Sequence, residues 1–143
     1  MFPIKSICLV LLLFLCAFVL CLTPINAQDT IYINKDYDYI TRYEAFEAMG
    51  ITLGKAARCS PEGTITSEKK RVREWLQKNC RSQKEANDIY QAFLAGAKTG
   101  LESYIINLSK AVDAGKDVSE TIKEFDEKCP EERTQYQRIV LIP

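Results

Sequence analysis

One long apolar stripe constrains the fold of this chain more than any other feature of its sequence. Between Ala86 and Val112, apolar side chains recur every three or four residues, as on one face of an α-helix. Ser82 stands three residues before Glu85, which forms a capping box, and Gly115 is typical of a helix end. The pattern predicts a helix of about 32 residues, roughly 48 Å long, which needs other helices to cover it.

Three further stretches show helical periodicity and are the predicted partners of this long helix. The first covers residues 37–59, with Tyr39 and Tyr43 on its inward face, and the second covers residues 67–80. The last starts after Asp117, and Pro130 is expected to stop or kink it.

The fold class follows from these four stretches. We predict an all-α protein, a single small bundle of four to five helices joined by short loops. Residues 37–143 form the helical domain, and residues 28–36 form a short extended arm in which apolar and polar residues alternate. The apolar tail, residues 139–142, must contact the bundle or a partner.

The long helix accepts glycine at Gly96 and Gly100, although each costs about 1 kcal/mol relative to alanine. The first helix contains a matching pair, Gly50 and Gly54, with the same spacing of four residues. Strips of small residues allow two backbones to approach closely, so that contact offsets the lost helix propensity. We expect the two strips to pack against each other. The alternatives are a binding surface for a partner or second copy, and the wall of a ligand cleft.

Three cysteines lie in the helical domain: Cys59, Cys80 and Cys129. If neighbouring helices run antiparallel, Cys59 lies about 20 Å along the long helix, Cys129 about 30 Å along it, and Cys80 at its base. We therefore predict a Cys59–Cys129 disulfide, with Cys80–Cys129 as the alternative pairing. Cys80 is then a free thiol that continues an apolar stripe. The alternative is that Lys78 and Arg81 lower its pKa and make it reactive.

The first 27 residues have the organisation of a secretory signal peptide. Lys5 precedes an apolar run at residues 7–22, and the small Ala27 precedes a polar start. The run is shorter than the ~20 residues needed to span a bilayer, so we expect cleavage near Ala27, with a retained anchor as the alternative. The chain is expected to be secreted or periplasmic, with no stable membrane span after cleavage.

The absence of histidine from the whole chain limits its chemistry. It excludes Ser-His-Asp and Cys-His nucleophile systems and any site with His-ligated zinc, copper or haem. Paired carboxylates such as Glu44 and Glu47 are ordinary on helix surfaces, and the cysteines show no CxxC spacing. We predict no catalytic residue, no cofactor and no metal site.

Charge gives no indication of a nucleic-acid partner. Residues 1–27 contain one lysine and no acidic residue, so 18 basic and 19 acidic residues remain without them, a net charge of −1. That balance does not favour binding to a polyanion. The most basic segment, residues 68–81, surrounds Trp75 and is a candidate contact for an acidic protein or membrane surface. The alternative is a solvated face around a core tryptophan.

Four tyrosines crowd residues 32–43 and form the best candidate for a binding surface. Helical spacing buries only part of them, so Tyr32 and Tyr37 are expected to be exposed, and exposed tyrosine is favoured at protein interfaces. The alternative is that the arm and the apolar tail pack back onto the bundle.

These observations favour a non-enzymatic exported protein that binds another exported protein, as an accessory, inhibitor or chaperone-like factor. The second hypothesis is a carrier that holds a small apolar ligand between helices, with the glycine strip as a wall. The third is an enzyme that works without histidine.

Overall fold

The computed structural model describes residues 30–143 as four helices and two short strands. The predicted signal peptide, residues 1–27, lies outside the described residues. The predicted helical bundle is confirmed. In chain order the elements are β1 (Ile31–Asn34), α1 (Tyr39–Ala56), a 3-10 turn (Ala57–Cys59), α2 (Thr64–Asn79), α3 (Gln83–Asp113), α4 (Val118–Gln137) and β2 (Ile139–Ile142).

Local side-chain chemistry explains where three of these helices begin. Asp38, Ser82 and Asp117 each accept a hydrogen bond from the backbone amide three residues later, at 2.8, 3.1 and 3.0 Å. Such a bond satisfies an amide that has no partner within the first turn. At the end of α3, Gly115 has a φ of 75°, the left-handed conformation that glycine adopts without strain.

Glycines bring the backbones of α1 and α3 into direct contact. A Cβ atom added to Gly50 would overlap the carbonyl oxygen of Phe93, and one added to Gly96 would overlap that of Glu47. Added Cβ atoms on Gly54 and Gly100 would likewise come closer than 3.0 Å to backbone atoms of the opposite helix. The two strips therefore pack against each other, and α1 covers the strip on α3.

The inward face of α1 differs from the predicted one only at the start of the helix. The prediction placed Tyr39 and Tyr43 inward, but both side chains are exposed. Arg42 occupies the inward position there, and from Phe46 to Leu53 the predicted spacing is correct, because both of these residues are buried. An arginine is rarely buried without a partner, so its presence on this face conceals the true periodicity.

Helix α4 continues through Pro130, so the predicted stop does not occur. Proline removes a backbone donor and displaces a carbonyl group of the preceding turn. In that turn the Phe125 carbonyl accepts a hydrogen bond from Nη2 of Arg58. Cys129, the residue before Pro130, is also covalently bonded to Cys59. These tertiary contacts hold the helix where local propensity disfavours it.

The arm and the tail pair with each other as a parallel two-stranded sheet. Ile31 lies opposite Ile139, and Tyr32 lies opposite Val140. Ile33 and Ile139 are buried in the core of the bundle. The prediction of an extended arm is therefore confirmed, and the tail covers one edge of it.

The long stripe of α3 is covered along only part of its length. Its apolar residues are buried as far as Gly100, but Leu101, Ile105, Ile106 and Val112 are exposed. The cause is length, because α1 has 18 residues and α3 has 31, about 27 and 46 Å. The expectation that other helices cover the whole stripe is wrong beyond Gly100, where within residues 30–143 α4 and Arg58 lie beside it and leave these four side chains exposed.

Candidate functional site

Exposed aromatic and aliphatic side chains gather where the arm meets the start of α1. We call this the tyrosine surface, and the exposed fraction of its most accessible member, Ile40, is 66%. Isolated exposed apolar residues are ordinary, but a contiguous group is typical of an interaction site. The members of the tyrosine surface are Tyr32, Tyr37, Tyr39, Ile40, Tyr43 and Val140.

Contacts within the tyrosine surface form two groups, which Asp38, the residue between Tyr37 and Tyr39, connects in sequence. The Tyr37 hydroxyl donates to the Tyr32 carbonyl at 3.1 Å, which links the arm to the segment before α1. Tyr39 and Tyr43 are one helical turn apart, with ring centroids 6.1 Å apart. Val140 stands beside Tyr32 across the strand pairing. The surface thus has a fixed backbone beneath aromatic groups that present both apolar rings and hydroxyl groups.

A buried ion pair anchors this end of the bundle. Arg42 is 2% exposed, and its Nη2 lies 2.5 Å from Oε1 of Glu85. Its Nη1 donates to the Asn79 carbonyl at 3.2 Å, and the other Glu85 oxygen accepts from the Arg81 amide at 3.0 Å. The network joins α1 to the turn between α2 and α3. Removing one partner of such a pair leaves a buried charge, a loss of about 3–5 kcal/mol.

The free thiol lies beside this network. Cys80 is half-buried, and its sulfur is 3.6 Å from Nη1 of Arg42. Burial raises the pKa of the Cys80 thiol, and the nearby Arg42 charge only partly offsets that rise. The sequence alternative, in which Lys78 and Arg81 lower this pKa, has no support in the structure. A raised pKa means less thiolate and lower reactivity at neutral pH.

Trp75 belongs to the core and not to a surface. It is 9% exposed, and its ring lies 5.5 Å from that of Phe46. The basic helix around it is partly self-neutralised, because Arg71 binds Glu68 at 2.6 Å. The same Glu68 accepts a hydrogen bond from the Tyr136 hydroxyl, and burial raises the pKa of Tyr136. This segment fastens the end of α4 to α2.

The Cys59–Cys129 disulfide forms as the helix lengths predict. The two Cα atoms are 5.9 Å apart, and the bond joins the turn after α1 to the middle of α4. It closes a loop of 70 residues, which stabilises the fold by about 4 kcal/mol in the chain-entropy model.

A second apolar site, the distal groove, lies between the far half of α3 and α4. Its volume is about 830 Å³, and Gly54 and Gly100 form part of its wall. At one end, the guanidinium carbon of Arg58 lies 4.9 Å from the centre of the Tyr104 ring and 5.7 Å from that of Phe125. The apolar lining of the distal groove consists of Leu101, Tyr104, Ile105, Ile122 and Phe125.

The part of the chain that the structure describes offers little for metal chemistry. Within residues 30–143, no group of three or more potential ligand side chains is placed to hold a metal ion. None of the helices in this range is both long and apolar enough to cross a lipid bilayer.

Comparison of the chain with protein-family models, with curated proteins and with solved structures found no match.

The tyrosine surface and the distal groove were each predicted in part. Tyr32 and Tyr37 are exposed as expected, whereas Ile40 and Val140 were not singled out. A ligand cleft walled by the glycine strip was one alternative from the sequence, and Gly54 and Gly100 do line the groove. Its other residues were not predicted to line a groove, because they continue the stripe that is buried earlier in α3. Helix length could have indicated them, since no other predicted helix is long enough to cover 32 residues.

Proposed function

We propose that this protein is exported and acts, without catalysing a reaction, by binding another protein through the tyrosine surface. The observation that carries the proposal is the clustering of six exposed aromatic and aliphatic side chains on one anchored segment. Tyrosine supplies large contact area with few rotatable bonds, and its hydroxyl groups find polar partners at an interface.

Export is supported by two independent features. The N-terminal 27 residues have the pattern of a signal peptide. The Cys59–Cys129 disulfide belongs to the kind that persists in oxidising compartments outside the cytosol. Intact-mass measurement of the exported protein tests this part of the proposal: a start at Gln28 and one disulfide are expected, and a mass that includes residues 1–27 would contradict cleavage.

A non-catalytic role is supported by the chemistry of the chain. Without histidine, general acid–base work near neutral pH falls to carboxylates, lysine, tyrosine or thiol. The described thiol, Cys80, is half-buried with a raised pKa, which is opposite to the depressed pKa of a nucleophilic cysteine.

The binding proposal is tested by quantitative capture of partners with matched variants. The double variant Tyr32→Ser, Ile40→Ser removes two exposed side chains of the tyrosine surface without touching the core. We expect recovery of a specific partner to fall at least tenfold, as for residues at the centre of an interface. Val118→Ser is the control, because Val118 is also exposed but lies at the far end of the bundle.

The outcome for this pair of variants decides the proposal. A partner that is lost with the double variant and kept with Val118→Ser supports binding through the tyrosine surface. Equal recovery with all three proteins would contradict it.

A further inference from the structure

We propose that the distal groove binds a single-chain amphiphile with an anionic head group, such as a fatty acid. This site is separate from the tyrosine surface, and the inference stands without the proposed partner protein. Four observations carry it: the size of the groove, its apolar walls, its uncompensated charges and the direction in which its polarity changes.

The size of the groove suits a small ligand. Its volume of about 830 Å³ lies within the ~300–1,000 Å³ typical of small-molecule sites. A helix of three turns, about 10 Å wide and 16 Å long, occupies roughly 1,300 Å³ and would fit only in part. An extended acyl chain is narrow enough to lie within the groove.

The walls of the groove are largely apolar, and no helix or strand within residues 30–143 covers them. Leu101 and Ile105 of α3 face it and are exposed, and Ile122 and Phe125 of α4 line the opposite side. A ligand that removes this aliphatic area from water gains a binding free energy of about 25 cal/mol for each Å² buried. The Gly54–Gly100 contact contributes a smooth wall on which a chain can lie.

Once the ion pairs are counted, one excess positive charge remains in the groove, because Lys55 and Lys128 outweigh the second carboxylate that faces Arg58. Among its acidic residues, Asp126 and Glu132 pair with Arg58, at 3.6 and 3.5 Å, and Glu102 pairs with Lys98 at 3.7 Å. Lys55 and Lys128 also line the groove. Neither has an ion-pair partner among residues 30–143.

The disulfide places the unpaired lysines near one end of the groove. Lys55 lies one turn before Cys59, and Lys128 directly precedes Cys129, so each lysine is within about one helical turn of the bond. Arg58 is at this end too, where its Nη1 lies 3.6 Å from Asp126, beyond hydrogen-bond distance. A carboxylate placed at this end would face the two unpaired lysines.

The other end of the groove is mostly aliphatic, with Asn107 as its uncharged polar residue. Ile105 lies one turn beyond Leu101, toward the tip where α3 turns into α4, and Ile122 lies one turn into α4. The groove therefore changes from cationic at the disulfide to aliphatic near the tip. That gradient matches a carboxylate followed by a hydrocarbon chain, and it does not match a cationic amphiphile.

The proposal is tested by isothermal titration calorimetry of the purified protein with laurate below its micellar concentration. We expect saturable binding of one laurate per protein. Dodecyltrimethylammonium, with the same chain and a cationic head, is expected to bind at least tenfold more weakly. Equal binding of the two amphiphiles would overturn the assignment of an anionic head group.

Matched variants locate the site. Ile105→Glu places a charge in the groove wall and should lower laurate affinity at least tenfold. Ile40→Glu is the control, because Ile40 and Ile105 are 66% and 65% exposed, yet Ile40 lies on the tyrosine surface. Equal loss with both variants, or with neither, would overturn the groove as the site.

A double variant distinguishes binding of the carboxylate head group from binding of the hydrocarbon chain. Lys55→Gln with Lys128→Gln should weaken laurate binding roughly tenfold, the size expected for two exposed charge contacts, and should leave 1-dodecanol binding unchanged. Unchanged laurate binding would overturn the role of the lysines. A second copy of the chain would be the occupant of the groove if the protein dimerised, if Ile105→Glu abolished the dimer, and if laurate showed no saturable binding. That result would also overturn the proposal.

Discussion

The two halves of α3 carry the same apolar periodicity but lie in different surroundings. From Ala86 to Gly100 the stripe is buried against α1 and α2, with backbone contact at the glycines. From Leu101 to Val112 the same spacing continues, but Leu101, Ile105 and Val112 are exposed, and the described neighbours are α4 and Arg58. Periodicity in one helix thus identifies a face that is able to be buried. Whether it is buried depends on the length of the neighbouring elements.

The two halves also differ in what fastens them. The near half is held by the glycine contacts, by an aromatic and aliphatic core, and by the Arg42–Glu85 ion pair. The far half contacts Arg58 through the Tyr104 ring, and its neighbour α4 is joined to the turn after α1 by the Cys59–Cys129 disulfide and by Arg58. We therefore expect the near half to supply most of the stability and the far half to supply an accessible surface.

The sharpest expected difference comes from large-to-small substitutions in the two halves. Phe93 is fully buried, so Phe93→Ala should lower the free energy of unfolding by about 4 kcal/mol through lost burial and a cavity. Ile105→Ala, in the exposed half, should change it by less than about 0.5 kcal/mol. Urea denaturation monitored by circular dichroism measures both. A similar cost for the two variants would mean that the far half is covered in solution.

Removing the disulfide tests what holds α4. In a Cys80→Ala background, which prevents disulfide exchange, Cys59→Ala with Cys129→Ala should lower the free energy of unfolding by about 4 kcal/mol. Limited proteolysis should then cut residues 118–143 before residues 83–100, since the glycine contacts do not depend on the disulfide. Cleavage in the near half first would reverse the proposed ranking of the two halves.

A methyl group at the glycine contact tests the near half directly. Gly96→Ala places a Cβ atom against the Glu47 carbonyl, so the two backbones must separate. We expect a loss of about 3 kcal/mol in the free energy of unfolding, despite the better helix propensity of alanine. Thr99→Ala, on the exposed side of the same helix, is the control and should be neutral. Stabilisation by Gly96→Ala would show that α1 and α3 are not in backbone contact.

The smallest expected effect concerns Cys80 at the base of the near half. Its pKa is raised above the ordinary 9.0, mainly by burial. The folded state then holds the thiol proton more tightly than the unfolded state. This contribution to stability is present below about pH 9 and is lost as the pH rises through the raised pKa. The rate of iodoacetamide alkylation should reach its midpoint at higher pH in the native protein than in urea, and the reverse order would contradict burial of the thiol.

The sequence allowed the helices and their ends to be predicted because local chemistry determines them. Ser82 and Asp117 cap α3 and α4 as expected, and Gly115 ends α3. The pairing of two glycine strips and the Cys59–Cys129 disulfide followed from spacing and helix length, which are also read directly from the chain.

Other features depend on contacts between residues far apart in sequence, and these were not predicted. The inward position of Arg42 at the start of α1 depends on Glu85, 43 residues away, which pairs with Arg42 and allows it to be buried. The continuation of α4 through Pro130 is supported by Arg58, which donates to the carbonyl group of Phe125, 67 residues later in the chain. The distal groove depends on where α1 ends relative to α3. The tyrosine surface was partly predicted because the local density of tyrosines is visible in the sequence.

The central claim is that α3 is a core helix as far as Gly100 and an open surface beyond it. Native-state amide hydrogen exchange along α3 tests this most directly, because protection reports the free energy of the opening that exposes each amide. We predict that residues 86–100 exchange only through global unfolding and that residues 101–113 exchange roughly a hundredfold faster or more. Equal protection along the whole of α3 would contradict the claim.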